Sequence, residues 1–114
     1  LLRIQPRDTD DVAKCHVLAL DQGKVKGNER YLTVSNETLE LRKIVDKLKQ
    51  ELPELAGRLP TFEERNEALK LATVDLKKGN AVFGTAWKSA YESVKATVED
   101  VLRWEKENGA LQTK

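Results

Sequence analysis

The chain has 114 residues, 39% hydrophobic and 34% charged, enough for one modest core and too apolar for a disordered tract. Lys plus Arg (20) nearly cancels Asp plus Glu (19), so the net charge of +1 gives no long-range field for nucleic acid or an anionic membrane. One cysteine excludes an internal disulfide, and no apolar run reaches the roughly 20 residues of a membrane span.

No signal-peptide pattern is visible, which favours a reducing, cytoplasmic setting. The chain begins Leu-Leu-Arg and contains no methionine, so it is expected to be a piece of something longer.

Asp10 or Asp11 is placed to cap a first helix from about Val12 to Asp21, since a carboxylate accepts the orphan amides of a first turn. At about 100° per residue, only Lys14 and Asp21 stand squarely opposite the apolar side, which predicts a helix covered on most faces. Gly23 and Gly27-Asn28 mark a turn. Tyr31-Leu32-Thr33-Val34 then has the aromatic and β-branched content of a short strand.

Ser35 or Asn36 can cap a second helix with the stripe Leu41, Ile44, Val45, Leu48, Leu52, closed by Pro53, Gly57 and Pro60. Thr61–Lys70 reads as a polar loop with a helical turn, and Ala72-Thr73-Val74 as a second short strand. Asp75 can cap a short helix over Lys77–Phe83, with Gly84 as its stop. Ser89-Ala90-Tyr91-Glu92 is a capping box, and the helix it opens carries Val94, Val98, Val101 and Leu102 on one face to about Glu107. Gly109 ends that helix. The whole reads as one α/β unit over 1–114, helix-dominated, with about four helices and two short strands. A strand pair with both edges open is not stable alone, so the main sheet is expected elsewhere.

Candidate chemistry is sparse. Cys15 and His16 are adjacent, and adjacent residues on a helix diverge by about 100°, so they do not converge on a metal. His16 falls near the centre of the apolar face and Cys15 beside Val12 and Ala19, so both read as packed side chains. Tyr91 and Lys95 have the Tyr-x-x-x-Lys spacing in which a lysine lowers a tyrosine's pKa for proton donation. Their place at the start of the last helix, with no nucleotide-binding turn ahead of them, argues against that role. The glycines at 23, 27, 57, 79, 84 and 109 match no phosphate-binding spacing, and no GxSxG or HExxH occurs. Trp87 and Trp104 read as packing anchors, and Lys77–Lys78 as solvated surface. No residue of the sequence is assigned a catalytic, cofactor-binding or metal-binding role.

Four ordered blocks nevertheless carry a resemblance. Arg7-Asp8-Thr9-Asp10-Asp11-Val12-Ala13-Lys14-Cys15-His16-Val17-Leu18-Ala19-Leu20-Asp21 is similar to V-D-V-R-D-V-A-x-A-H-V-x-A-L-E, and Asn28 to Ser35 to G-x-R-Y-L-x-S. Pro53-Glu54-Leu55 resembles F-P-E-L. Asp75 to Gly84, then Ser89 to Val98, resemble D-x-S-K-A-x-x-x-L-G followed by S-L-E-E-T-V-x-D-T-V. These are segments of the C-terminal part of extended short-chain dehydrogenase/reductases, the group of dihydroflavonol, cinnamoyl-CoA and methylglyoxal or aldehyde reductases. Arg7, Asp10, Cys15 and Gly79 depart from the pattern, and a helical Gly79 is expected to weaken its helix by roughly 1 kcal/mol.

The resemblance implies the substrate-domain portion of an extended Rossmann-type oxidoreductase. In the parent, NADP would supply hydride to a small aldehyde or ketone. The cofactor turn and catalytic groups would precede the matched segments, so this chain alone is expected to bind no cofactor and show no turnover. Its expected partner is the missing N-terminal nucleotide-binding domain, or a second copy of itself. The alternatives are a non-catalytic interaction module derived from that family and a small independent enzyme using Tyr91 and Lys95.

Overall fold

The computed structural model describes residues 3–4, 7–35, 37, 39–63 and 73–109. Four α-helices dominate the described residues: α1 (Thr9–Leu18), α2 (Leu41–Glu51), α3 (Lys77–Phe83) and α4 (Ala90–Asn108). The extended structure is a minimal antiparallel pairing of β1 (Arg3–Ile4) with β2 (Leu39–Glu40), in which Arg3 faces Glu40 and Ile4 faces Leu39.

α2 follows its stripe. Ile44, Val45 and Leu48 are buried, and Leu48 is the most enclosed side chain, 1% exposed. The Leu52 amide makes the last return bond, to Leu48 O at 2.8 Å. Pro53, with no N–H to give, then turns the chain into a 3-10 turn over Pro53–Leu55 that buries Leu55. Against Ile44 and Leu48 lie Ala90, Tyr91, Val94 and Val98 of α4, with Leu39, Leu52 and Leu59 at the margins. Each such aliphatic side chain contributes about 1.5–3 kcal/mol when fully buried, so this small cluster is the main apolar bond between α2 and α4.

α4 starts at Ser89 with both halves of the capping box formed, and leaves the helix at Gly109. α3 spans the expected residues and stops at Gly84, whose φ of 82° suits a residue without Cβ. The cap position of α3 is Leu76, with no side-chain cap, and not Asp75 as expected; Asp75, one residue earlier, accepts the Lys77 amide on Oδ1 at 3.0 Å in a local turn. Gly79, however, is not a weakness of α3. It is buried, and a Cβ there would stand 2.6 Å from the Leu32 carbonyl oxygen, so the glycine is the seat on which the 31–35 segment rests.

Other expectations are corrected. Tyr31–Val34 is not a strand. It is irregular chain held by its side groups: the Tyr31 ring meets Phe83 edge-on at 5.4 Å, and Arg7 donates to Val34 O. Thr73 and Val74 are likewise irregular, while Ala72 lies outside the described residues, as do 64–70 of the predicted polar loop. Ser35 caps no helix. Its hydroxyl accepts the Glu37 amide at 3.0 Å in a local turn, and α2 begins later, after Glu40, without a side-chain cap; Asn36 lies outside the described residues.

α1 also starts earlier than expected. Asp8, extended at φ −62° and ψ 144°, is the cap and accepts the Asp10 amide at 2.9 Å, which draws Asp10 and Asp11 into the first turn. The helix closes at Leu18, where Leu20 and Asp21 bond back only three residues, and the chain turns through Asn28 at φ 65°. Its broad burial is not seen: only Asp11 and Cys15 are buried, while Val17 is 68% and Leu20 79% exposed. An apolar arc in sequence marks a face able to be covered, and within this chain one narrow edge of α1 is covered.

Candidate functional site

The side chains singled out by sequence fall into three places. His16 stands on the open side of α1, its Nδ1 2.8 Å from Val12 O, and does not face the core as expected. Cys15 points inward, 4% exposed, and burial pushes its thiol pKa up, away from the thiolate that nucleophilic or metal chemistry needs. The two neighbours diverge, as helical geometry requires. Among the described residues no group of three His, Cys, Asp or Glu side chains could hold a metal ion.

Tyr91 and Lys95 do share one face of α4, but a third residue takes them both. The Tyr91 hydroxyl donates to Glu51 Oε2 at 2.5 Å, and Lys95 Nζ reaches the same oxygen at 2.7 Å. Lys47 Nζ lies 3.9 Å from the centre of the Tyr91 ring. Burial, then the Glu51 carboxylate, pushes the Tyr91 phenol above its ordinary pKa, while the hydrogen bonds from Lys95 and Tyr91 hold Glu51 below the usual range. Proton donation at neutral pH calls for the opposite shift on the tyrosine. Here the lysine's charge is spent on Glu51, and the trio ties the start of α4 to the end of α2.

A larger polar constellation joins α1 to α4. Asp11, buried at 6% exposure, accepts the Lys88 amide at 3.0 Å. Asp8 accepts the Ser93 hydroxyl at 2.6 Å, and Lys88 Nζ lies 3.3 Å from Asp8 and 2.5 Å from Asp10. The Ser93 hydrogen bond, above all, lowers the Asp8 pKa, and bonding to Asp10 and Asp8 raises that of Lys88. Glu37 Oε2 accepts the Ala90 amide at 2.9 Å, and Glu92 closes the capping box on the Ser89 amide at 2.9 Å. The amides of Lys88, Ser89 and Ala90, leading into α4, are thus each met by a carboxylate, and that of Glu92 by the Ser89 hydroxyl. A helix start so filled repels a cofactor phosphate, whereas an open one attracts it. Sequence reasoning found the Ser89–Glu92 box but missed Asp8, Asp11, Glu37 and Glu51. Their partners are 85, 77, 53 and up to 44 positions away, and no local pattern announces such pairings.

Beside this junction Trp87 serves as the packing anchor expected. The Arg7 guanidinium lies 4.2 Å from its ring centre and Lys14 Nζ 5.7 Å away, a cation–π arrangement across the α1–α4 corner. Trp104 is 48% exposed on the outer part of α4. Lys78 is exposed, as expected, and on that surface it pairs with Glu29 and lies 4.9 Å from the Tyr31 ring centre.

An apolar groove of about 200 Å³ lies between α4 and the turn after α2. Leu55, Leu59, Val98, Val101 and Leu102 line it, and Arg58 reaches across with two bonds to Glu105 at 2.7 and 3.0 Å. Its walls offer a place for an apolar group, and the hydroxyl among its lining residues, that of Thr97, donates to Ser93 O at 2.9 Å.

No protein-family profile matches the chain, and no solved structure does. A curated relative is the NADPH-dependent methylglyoxal reductase GRE2 of Saccharomyces cerevisiae, 28% identical over 101 residues. The matched part is 86% of this chain but 29% of the reductase, so the chain spans less than a third of the relative's length. The chain is thus a distant relative of an NADPH-dependent oxidoreductase. Among the described residues no helix is long and apolar enough to cross a membrane.

Proposed function

We propose that this chain is the substrate-domain portion of an NADP-dependent reductase acting on a small aldehyde or ketone. The likeness to a methylglyoxal reductase over 86% of the chain carries this reading. The filled start of α4, the inward Cys15 and the Tyr91–Glu51–Lys95 arrangement support the companion view that hydride and proton transfer belong to groups outside it. On this reading the apolar groove and the open side of α1 are covered by the nucleotide-binding part of the same enzyme.

The test uses the native gene product. Its intact mass should correspond to a chain roughly three times this length, in keeping with the relative's size. That product should oxidise NADPH with methylglyoxal or another small carbonyl compound, whereas the 114-residue chain should neither oxidise NADPH nor bind it in a fluorescence titration. Turnover by the short chain would defeat the proposal, and so would a native product of this length. The exposed Val17, Leu20, Leu32, Val101 and Trp104 favour a second reading, an interaction module that covers these groups by self-association. Light scattering showing a concentration-dependent dimer of a native short product would support that reading instead.

A further inference from the structure

The sequence has five asparagines, and only Asn108 is followed by glycine. A glycine has no Cβ to block the approach of its own backbone nitrogen to the preceding side chain, so this pair is the one disposed to intramolecular attack. The structure places it at an exposed helix end. Asn108 is the exposed last residue of α4, and Gly109 leaves the helix at φ 79° and ψ 144°. Among the described residues the Gly109 amide makes no return bond into α4, whereas the Gly84 amide that closes α3 bonds Asn80 O at 2.9 Å. Among the described residues the Asn108 side chain has one bond, its Nδ2 donating to Trp104 O at 3.0 Å.

We propose that Asn108 is a site of spontaneous deamidation that alters the end of α4. A base takes the Gly109 amide proton, and the nitrogen attacks Asn108 Cγ to form the new C–N bond of a five-membered succinimide. The Cγ–Nδ2 bond breaks, and Nδ2 leaves as ammonia after taking up a proton from water. Water then opens the ring at either carbonyl, giving aspartate or isoaspartate. Water is the only co-reactant, and no electrons are transferred.

The product has three physical consequences. The donor to Trp104 O is lost. A carboxylate appears at the negative end of a 19-residue helix, directly after Glu107, where both the helix dipole and a like charge oppose it. The charge balance of 20 against 19 becomes even, so the chain loses its net charge and part of its resistance to association.

The experiment is incubation of the full 114-residue chain in mildly alkaline buffer at physiological temperature, followed by peptide mass mapping and isoaspartate labelling. The peptide containing Asn108 should gain about 1 Da as an amide becomes an acid, ahead of those containing Asn28 and Asn80. The converted chain should elute with an Asn108→Asp standard on ion exchange. Gly109→Ala should slow the conversion on the order of tenfold, because its methyl obstructs the attack. Asn108→Gln, which leaves the glycine and the helix end in place, should abolish the early acidic species. Equal rates at Asn108, Asn28 and Asn80 would overturn the proposal, as would an acidic species that persists in Asn108→Gln.

Discussion

Replacing Gly79 by alanine sets two effects of known size against each other. In an exposed helix interior, glycine to alanine gains about 1 kcal/mol because the unfolded chain has less freedom to lose. Gly79 has an ordinary helical backbone, so nothing in its dihedrals opposes the change. The opposition is steric: the new Cβ would lie 2.6 Å from Leu32 O and 3.7 Å from Leu32 C. Ordinary contact begins near 3.4 Å, so the carbonyl must retreat by almost 1 Å. It cannot swing away like a side-chain tip, because Tyr31 is packed on Phe83 and Val34 O is held by Arg7. Overpacking of this kind costs about 1–3 kcal/mol, and after the helical gain a net loss of about 1 kcal/mol remains. Urea unfolding should show that loss, with the amide signals of residues 31–35 moving more than those of α4. Gly57→Ala is the matched control, since a Cβ there meets nothing within 4 Å; it should leave stability unchanged or raise it by up to about 1 kcal/mol. If Gly79→Ala stabilised the chain as much as Gly57→Ala, the 31–35 segment would not rest on α3.

Asp11→Ala removes a buried acceptor and strands the Lys88 amide, so it should cost about 1–3 kcal/mol in urea unfolding. Asp10→Ala cuts an exposed ion pair and should cost well under 1 kcal/mol. The α1–α4 junction should also be acid-labile. The Asp8 pKa is depressed in the fold, so its contribution is present above the ordinary carboxylate value of 3.8 and is lost as pH falls through the lower folded value. Lys88, with a raised pKa, loses its contribution only as pH rises past 10.5 and through its folded value. Stability measured against pH should therefore fall at both extremes, and in Asp8→Asn the acid arm should be shallower. Cys15 should react with a thiol reagent far more slowly in the folded chain than in denaturant, and equal rates would contradict its burial.

What could be read in the sequence was whatever a few neighbouring residues decide. The Ile44–Val45–Leu48 stripe, the Pro53 stop, the Ser89–Glu92 box and the Lys77–Phe83 span each depend on a turn or two of helix. The errors fall where distant chain decides. Tyr31–Val34 has strand composition, but composition creates no partner strand, and α3 offers it a helix to lie on instead. In sequence Asp10 and Asp11 look as able to cap α1 as Asp8 does. The choice rests on an extended Asp8 that also meets Ser93. The Tyr91–Lys95 spacing is legible and Glu51 is not, yet burial and then Glu51 push the tyrosine's pKa up, against the role the spacing suggests.

These departures share a physical cause. The Cα radius of gyration is 17.7 Å, where a compact domain of this length has about 13 Å. Among the described residues Leu48 is the most enclosed hydrophobic side chain, and few others are buried with it. The helices are therefore joined less by a common core than by polar clasps: Asp8 and Asp11 to the start of α4, Glu51 to Tyr91 and Lys95, Arg58 to Glu105. Clasps of this kind fix orientation at little gain in stability, because each carboxylate gives up water to make them. Burial of Val17, Leu20, Val101 and Trp104 against another surface would add the apolar term that the chain makes little of by itself. The same polar joints would hold those residues in place for docking. A helical layer built in this way gains most of its stability when it is covered, which is the condition the proposed reductase would impose.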